Sequence, residues 1–208
     1  MSKNPVIIFE GIETSGKTTN INIVSRYLKK INKKYIKIRE PGGSKYSEII
    51  RNLILNKNSK LNNKTDLLLI LASRSENMEK IINKNINKKI ILIDRFTDST
   101  KAYQHYGMGI NLNLINKINN FIIKNFKPDL TVLSLVNKSN LKKRLKTRSS
   151  LNKYDEFKYT FYQKVQKGFV KIAKNKNKYI FIDSNNNSIN ENAKIIIAKI
   201  NKIINKKN

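Results

Sequence analysis

Gly11-Ile12-Glu13-Thr14-Ser15-Gly16-Lys17-Thr18 decides the reading of this chain. The stretch satisfies G-x-x-x-x-G-K-[ST] in full, follows the apolar run Val6-Ile7-Ile8-Phe9, and opens a helical pattern from Thr18 onward. That context carries the weight, because the motif works only between a buried strand and a helix N-terminus. Glycines at 11 and 16 let the backbone turn successive N–H groups toward phosphate oxygens. Lys17 then supplies a cation near the β- and γ-phosphates, and the Thr18 hydroxyl is placed to ligate Mg²⁺. The helix aims its positive dipole end at the same anion. A plain glycine turn between strand and helix is the alternative, and the full spacing with both flanking elements argues against it. The expectation is a nucleoside triphosphate held by residues 11–18.

Strand and helix signals alternate outward from this loop. Tyr35-Ile36-Lys37-Ile38-Arg39 reads as a second strand, residues 89–94 as a third, 130–136 as a fourth and 179–183 as a fifth. Helical periodicity covers about 17–33, 44–56, 64–86, 111–125, 138–148, 154–175 and 189–205. Short apolar runs separated by helices predict an α/β three-layer sandwich: a five-stranded parallel sheet with right-handed crossovers and helices on both faces. Ligands of such sheets bind at the carboxyl ends of the strands. No repeat or long linker interrupts the pattern, which predicts one domain over 1–208.

Composition narrows the class. The chain has 208 residues and no cysteine, so a disulfide framework and thiolate metal sites are excluded. Met1-Ser2-Lys3-Asn4 leads directly to the first strand with no targeting pattern, and no apolar run reaches the roughly twenty residues of a membrane span. A cytoplasmic location with no membrane partner is the expectation. Its formal charge of +29 would ordinarily suggest nucleic acid. Here lysine is dispersed with asparagine and isoleucine, whose codons are all A/T-rich, and aromatics are not interleaved as on a base-stacking surface. The reading favours genome bias over a specific nucleic-acid partner.

Polar clusters follow the strand ends. Glu40-Pro41-Gly42-Gly43 closes the second strand with a tight turn, an ordinary connection or an acceptor-side wall. Asp94 ends the third, where a carboxylate can hold Mg²⁺ through water, and Arg95 can fork onto a phosphate. Ser99, Thr100, Tyr103 and Gln104 share one face at helical spacing and suit a base and sugar. His105, the only histidine, reads as an exposed helix residue. Arg144, Lys146, Arg148 and Lys153 follow the fourth strand. In a chain so biased toward lysine, retained arginines point to a need for forked geometry, as in a lid over a phosphoryl group.

The chain resembles the bacterial-type thymidylate kinases, P-loop nucleoside monophosphate kinases, over essentially its whole length. FEGIETSGKTT (9–19), REPGG (39–43), the arginine of LLILASR (68–74), DRFTDSTKAYQ (94–104), PDLTVLSL (128–135) and the arginine-bearing lid at about 144–155 carry the likeness. REPGG with DR-x-x-x-S-x-x-AYQ separates this family from adenylate, guanylate and cytidylate kinases. The resemblance implies ATP- and Mg²⁺-dependent phosphorylation of dTMP to dTDP by a homodimer. It assigns Gly11 through Thr18 to the ATP phosphates and Glu13 to the acceptor deoxyribose. Arg74 is implied to read thymine and Arg95 to grip the acceptor phosphate. Ser99, Thr100, Tyr103 and Gln104 are implied to line base and sugar, with Tyr103 disfavouring a 2′-hydroxyl. Pro41 and Leu53 fall at apolar walls, Arg144 and Arg148 at lid positions, and the loop after Asp183 where adenine is held.

Three departures stand out. Ile70 occupies the place of a phenylalanine that stacks on thymine, Met108 that of an arginine, and Lys153 that of a second lid arginine, with Asn152 replacing an acidic residue. Weaker turnover on the same substrate is the expectation. Two other readings stay open on residues alone: a kinase of the same fold with another acceptor, and a nucleic-acid-dependent ATPase suggested by charge.

Overall fold

The computed structural model describes residues 4–148, 152–174 and 176–207. Strands β1 (Val6–Glu10), β2 (Tyr35–Arg39), β3 (Ile90–Asp94), β4 (Leu130–Leu135) and β5 (Tyr179–Asp183) pair in parallel, in the order β2-β3-β1-β4-β5. Phe9 pairs with Asp94, and Glu10 with Leu133, so the phosphate loop leaves β1 between the ends of β3 and β4. The chain runs from β1 out to β2, returns to β3, and then crosses to β4 and β5 on the other side. A crevice therefore opens above the carboxyl end of β1, where such topologies bind ligands.

Helices α1 (Lys17–Lys30), α2 (Lys45–Leu55), α3 (Asn63–Asn77), α4 (Asn83–Asn85), α5 (Thr97–Thr100), α6 (Leu112–Ile123), α7 (Lys138–Lys146), α8 (Tyr159–Ala173) and α9 (Ile189–Lys207) surround the sheet. Alternation along β1 divides the core. Ile7 and Phe9 join Ile90, Leu92, Leu130 and Ile182 beneath Val24 and Leu28 of α1 and Ile196 and Ile200 of α9. Val6 and Ile8 join Ile91 and Ile93 on the opposite face, against Met78, Ile82 and Phe126. Leu133 meets Tyr103 together with Tyr162, Val165 and Phe169 of α8. All five residues of β1 are buried, as a central parallel strand requires. Each apolar side chain among them contributes about 1.5–3 kcal/mol on burial.

Three segments differ from simple α-periodicity. The 64–86 pattern is α3, a π-helical stretch at Met78–Ile82, and α4. Residues 97–107 begin as α5 and widen to π-helix over Lys101–Gly107. The 154–175 pattern is interrupted: a 3₁₀ turn at Lys153–Glu156 is followed by extended Phe157 and Lys158 before α8 begins. Asn152 and Asp155 bond each other's backbone N–H groups across that turn, a local alternative that competes with continuous helix. Within the expected lid, Arg144 lies in α7 and Arg148 just beyond it, while residues 149–151 lie outside the described residues.

Gly16 caps α1 with φ 93°, and Gly11 leaves β1 with φ 138°. A Cβ on Gly11 would stand 2.4 Å from the Ser134 carbonyl oxygen and 2.6 Å from Ser15 Oγ. Replacing Gly11 by Ala is expected to cost on the order of 2 kcal/mol and to displace the loop from β4. Urea denaturation with triphosphate titration checks this, and unchanged stability and binding would refute it.

Candidate active site

Lys17 opens α1, and its ammonium folds back on the loop that precedes it, 2.9 Å from the Gly11 carbonyl and 2.6 Å from the Ile12 carbonyl. Burial, with Arg95 adding repulsion, pulls this lysine down to about 8. Such a partly desolvated cation is a receptor for an anion. Lys17 and Thr18 border a cavity of about 350 Å³, and Asp94 reaches it from the end of β3. The Asp94 Oδ1 atom is buried and carries no hydrogen-bond partner.

Arg95 follows with a left-handed backbone, φ 67°, its N–H bonded to the Phe9 carbonyl at 3.0 Å. That turn throws the guanidinium across the phosphate loop. Nη1 donates to the Gly11 carbonyl at 2.9 Å and Nη2 to Glu13 Oε1 at 2.8 Å. The Tyr103 hydroxyl donates to the other Glu13 oxygen, and its ring lies 5.1 Å beneath the guanidinium carbon. Burial first, then Glu13, pushes the Tyr103 hydroxyl well above its ordinary value against the pull of Arg95, so it stays a donor.

On the far wall Arg74 is 1% exposed. Its Nε donates to Glu40 Oε2 at 2.7 Å, Nη1 to Asn119 Oδ1 at 2.6 Å and Nη2 to Thr100 Oγ1 at 2.9 Å. Those three bonds leave two of the five guanidinium N–H groups for a ligand. Pro41, Ile70, Ser99, Thr100, Tyr103 and Gln104 complete the wall, with Arg148 entering from the lid side. Arg148 is held by an ion pair to Asp155. Arg144 turns away from this cavity. It donates to the Thr14 carbonyl at 3.0 Å and the Ser184 carbonyl at 2.6 Å, beside a second cavity of about 230 Å³ lined by Gly16, Asn187 and Ile189.

Three expectations change. Leu53 is no wall: it is 49% exposed on the outside of α2, and its neighbours Ile54 and Leu55 face the cavity instead. Helical rotation explains this, since adjacent residues point about 100° apart. Lys153 does not reach toward the phosphate loop. Its ammonium is bound to Asp66 Oδ2 at 2.9 Å and the Leu61 carbonyl at 3.2 Å, near the start of α3. His105 is half-buried, with Nδ1 2.8 Å from the Ile110 carbonyl.

A family model described as Thymidylate kinase matches residues 9–196. The chain is 39% identical to a thymidylate kinase from Mycoplasma capricolum, over 93% of this chain and 95% of that protein. It is 34% identical to one from Thermosipho africanus, over 96% and 97%. The crystal structure of thymidylate kinase from Ehrlichia chaffeensis superimposes with a TM-score of 0.77 at 35% identity, covering 95% of this chain and 98% of that one. This chain belongs to the thymidylate kinase family.

Several residues of this thymidylate kinase family member escaped the sequence reading. Arg51 donates to the Pro41 carbonyl at 2.6 Å and lines the cavity, where burial first and then Arg39 lower it to about 10. Asn119 bonds Arg74, Tyr154 lines the cavity, and Asp66 holds the adjacent Lys153. Glu10 accepts from the backbone at the start of α5. Arg51 had a usable signal. Arginine is scarce here, and Arg51, Arg74, Arg95, Arg144 and Arg148 all border the two cavities. The others are polar partners brought from distant sequence, as Asn119 is to Arg74, and no local pattern marks them.

Lys17 makes the loop's anion binding pH-dependent. With a free-state value near 8, the lysine loses its proton as pH rises above that point, while a bound triphosphate holds the proton on. Binding is therefore expected to take up about half a proton near pH 8, rising toward one proton about a pH unit higher, with affinity falling up to tenfold per pH unit beyond that. Calorimetry at pH 8.5 in buffers of different ionisation enthalpy measures this. Equal heats and flat affinity would refute it.

Proposed function

We propose that this protein phosphorylates dTMP to dTDP with ATP, supplying the dTTP pathway. The observation that carries the reading is one cavity bordered by Lys17 and Thr18 at one end and by Arg74, Tyr103 and Gln104 at the other, with Arg95 between them. The triphosphate lies along residues 11–18, and its base faces the second cavity beside Arg144. The thymine ring lies against Ile70 and the two spare N–H groups of Arg74. Glu13 and Tyr103 face the sugar, and Tyr103 leaves no room for a 2′-hydroxyl.

Arg95 holds the acceptor phosphate in line with the γ-phosphorus. Lys17, the loop N–H groups and Arg148 balance charge on the transferring group. A phosphate monoester with a second pKa near 6 is already anionic at neutral pH, so the acceptor needs no general base. Mg²⁺ suits the residues present: Thr18 offers a hydroxyl and Asp94 a buried oxygen without a partner. No cluster of three or more metal-ligating side chains occurs among the described residues, in keeping with an ion that keeps its water and phosphate ligands. Bound there, the ion would neutralise phosphate charge.

A coupled assay with dTMP, dUMP, UMP and thymidine tests this reading. dTMP is expected to be preferred, UMP by far the poorest nucleotide acceptor, and Lys17→Ala to lower kcat by a factor on the order of a thousand. Preference for thymidine, or near-normal turnover by Lys17→Ala, would overturn it. DNA-stimulated phosphate release without transfer to dTMP would favour the ATPase alternative.

We further infer a homodimer and a cytoplasmic single-domain protein. No helix among the described residues is long and apolar enough to cross a membrane. Tyr46, Ile49 and Leu53 line the outer side of α2, Leu68 that of α3 and Phe121 that of α6, and α3 contacts both α2 and α6. Phe121 is 80% exposed, an anchor of the kind interfaces bury. Phe121→Asp with Ile49→Asp is expected to halve the mass seen by light scattering. A wild-type monomer, or a variant that stays dimeric, would contradict this surface.

A further inference from the structure

Glu10 is the last residue of β1, 1% exposed, and the reaction described above gives it no task. Its carboxylate is nevertheless fully engaged. Oε1 accepts from the Phe96 N–H at 2.8 Å and the Ser99 N–H at 3.2 Å, and Oε2 accepts from the Ser99 hydroxyl at 2.5 Å. These donors belong to the turn that carries Arg95 and to the first turn of α5. The N-cap residue of α5, Phe96, has no side chain able to cap it, so its orphan N–H groups need an acceptor from elsewhere. Glu10 supplies that acceptor from a different strand.

The Ser99 hydroxyl has one proton, and it is spent on Glu10. Its lone pairs are left facing Arg95, whose Nη1 lies 3.3 Å away. The Arg95 backbone is left-handed, a conformation that a non-glycine residue keeps only where its surroundings enforce it. The Phe9 carbonyl holds the N–H on one side of that turn, and Glu10 holds the next N–H on the other. Burial first, and the neighbouring Asp98 carboxylate second, push Glu10 up to about 7, opposed by Ser99, the Phe96 N–H and Arg95. Asp98 is itself engaged by Tyr179, whose hydroxyl donates to it at 2.5 Å, and lies 3.7 Å from the Lys101 ammonium. An acid this buried is costly to keep, and an apolar residue would fill the space at less cost.

We propose that Glu10 is the positioning residue for Arg95: it fixes the left-handed turn and aims the Ser99 lone pair at the guanidinium that grips the acceptor phosphate. The proposal rests on the assignment of Arg95 to that phosphate. Glu10 touches neither substrate and acts only through Ser99 and the turn.

Glu10→Gln separates this role from simple packing. The amide preserves volume and one acceptor but replaces the other with a donor facing Ser99, which turns the hydroxyl. Titration of dTMP and of thymidine, which lacks the phosphate, reads the effect directly. The expected result is a tenfold weaker dTMP affinity and a tenfold higher KM for dTMP, with thymidine affinity and the KM for ATP within twofold of wild type. Ser99→Ala should reproduce the dTMP loss, and the double variant should lose no more than either single one. If Glu10→Gln does not fold, Ser99→Ala decides alone, and unchanged dTMP affinity in it overturns the proposal. Equal losses for dTMP and thymidine, or fully additive losses in the double variant, also overturn it. Wild-type protein that binds dTMP no better than thymidine would remove the phosphate role of Arg95 and this inference with it. Discrimination that survives Glu10→Gln intact overturns this inference and leaves the function reading standing.

Discussion

Arg95 joins the two halves of the site, and most of the surrounding polar structure exists to hold it. Its N–H is tied to β1, one nitrogen lies on the phosphate-loop carbonyl of Gly11, and another on Glu13. A single guanidinium thus locks the end of β3 to the loop that leaves β1. The parallel register makes this possible, because pairing Phe9 with Asp94 brings residue 95 level with the start of the loop. Planar geometry matters as well: a lysine could not serve the Gly11 carbonyl, Ser99 and Glu13 from fixed directions at once. The chain keeps arginine at this position despite its strong preference for lysine.

A second buried guanidinium imposes the complementary constraint. Arg74 is removed from water almost completely, which is tolerable only because Glu40, Asn119 and Thr100 converge on it from the end of β2, α6 and α5. Removing one partner of such a pair commonly costs about 3–5 kcal/mol, while an apolar replacement of the whole set is often neutral. Stability therefore does not account for the network. Two further N–H groups on a guanidinium that borders the cavity are what an apolar core could not supply. The same logic applies to Lys17: burial of its ammonium is a cost that a neighbouring phosphate would offset.

The sheet was legible in the sequence because its strands are short runs bounded by turn residues. Strands β1, β3 and β4 are near-continuous apolar runs buried on both faces, while the edge strands β2 and β5 keep enough apolar residues to show although they are only partly buried. The phosphate loop was legible for a related reason, since its residues are contiguous and each has a local job. Asp94, Arg95 and the Ser99–Gln104 face came next, as polar residues at and just after a strand end that the parallel topology collects at one edge, whereas Arg74, within α3, was marked only by the resemblance. What could not be read was the set of residues that act on those clusters from a distance. Glu10 lies inside the strand signal and counts there as one polar letter. Asn119 sits on α6 among residues typical of a helix surface. Leu53 shows the opposite error, in which a position carried over by resemblance lies one residue from the side chain that faces the cavity. The break at Phe157 was hidden because the bonds between Asn152 and Asp155 belong to no periodic pattern.

The departures at 70 and 153 also take on a different meaning in three dimensions. Ile70 removes an aromatic ring from the wall, but the Tyr154 ring lines the same cavity from the lid side, 5.8 Å edge-on from Tyr103. Burial pushes the Tyr154 hydroxyl up, and Gln104 donates to it at 3.4 Å, so the ring enters as a neutral group joined to the cavity wall. Lys153, the adjacent residue, fixes the backbone that carries this ring by its bond to Asp66. A point charge on a flexible stem suits that task, because a single carboxylate oxygen needs no forked donor. An arginine there would bring two forked nitrogens to a site where one carboxylate oxygen and one carbonyl already satisfy the lysine. Loss of the second lid arginine therefore leaves Arg148, held by Asp155, as the lid guanidinium that borders the main cavity among the described residues. Arg148 thus brings one positive charge to the main cavity, while the charge of Lys153 is engaged by Asp66 in a structural ion pair.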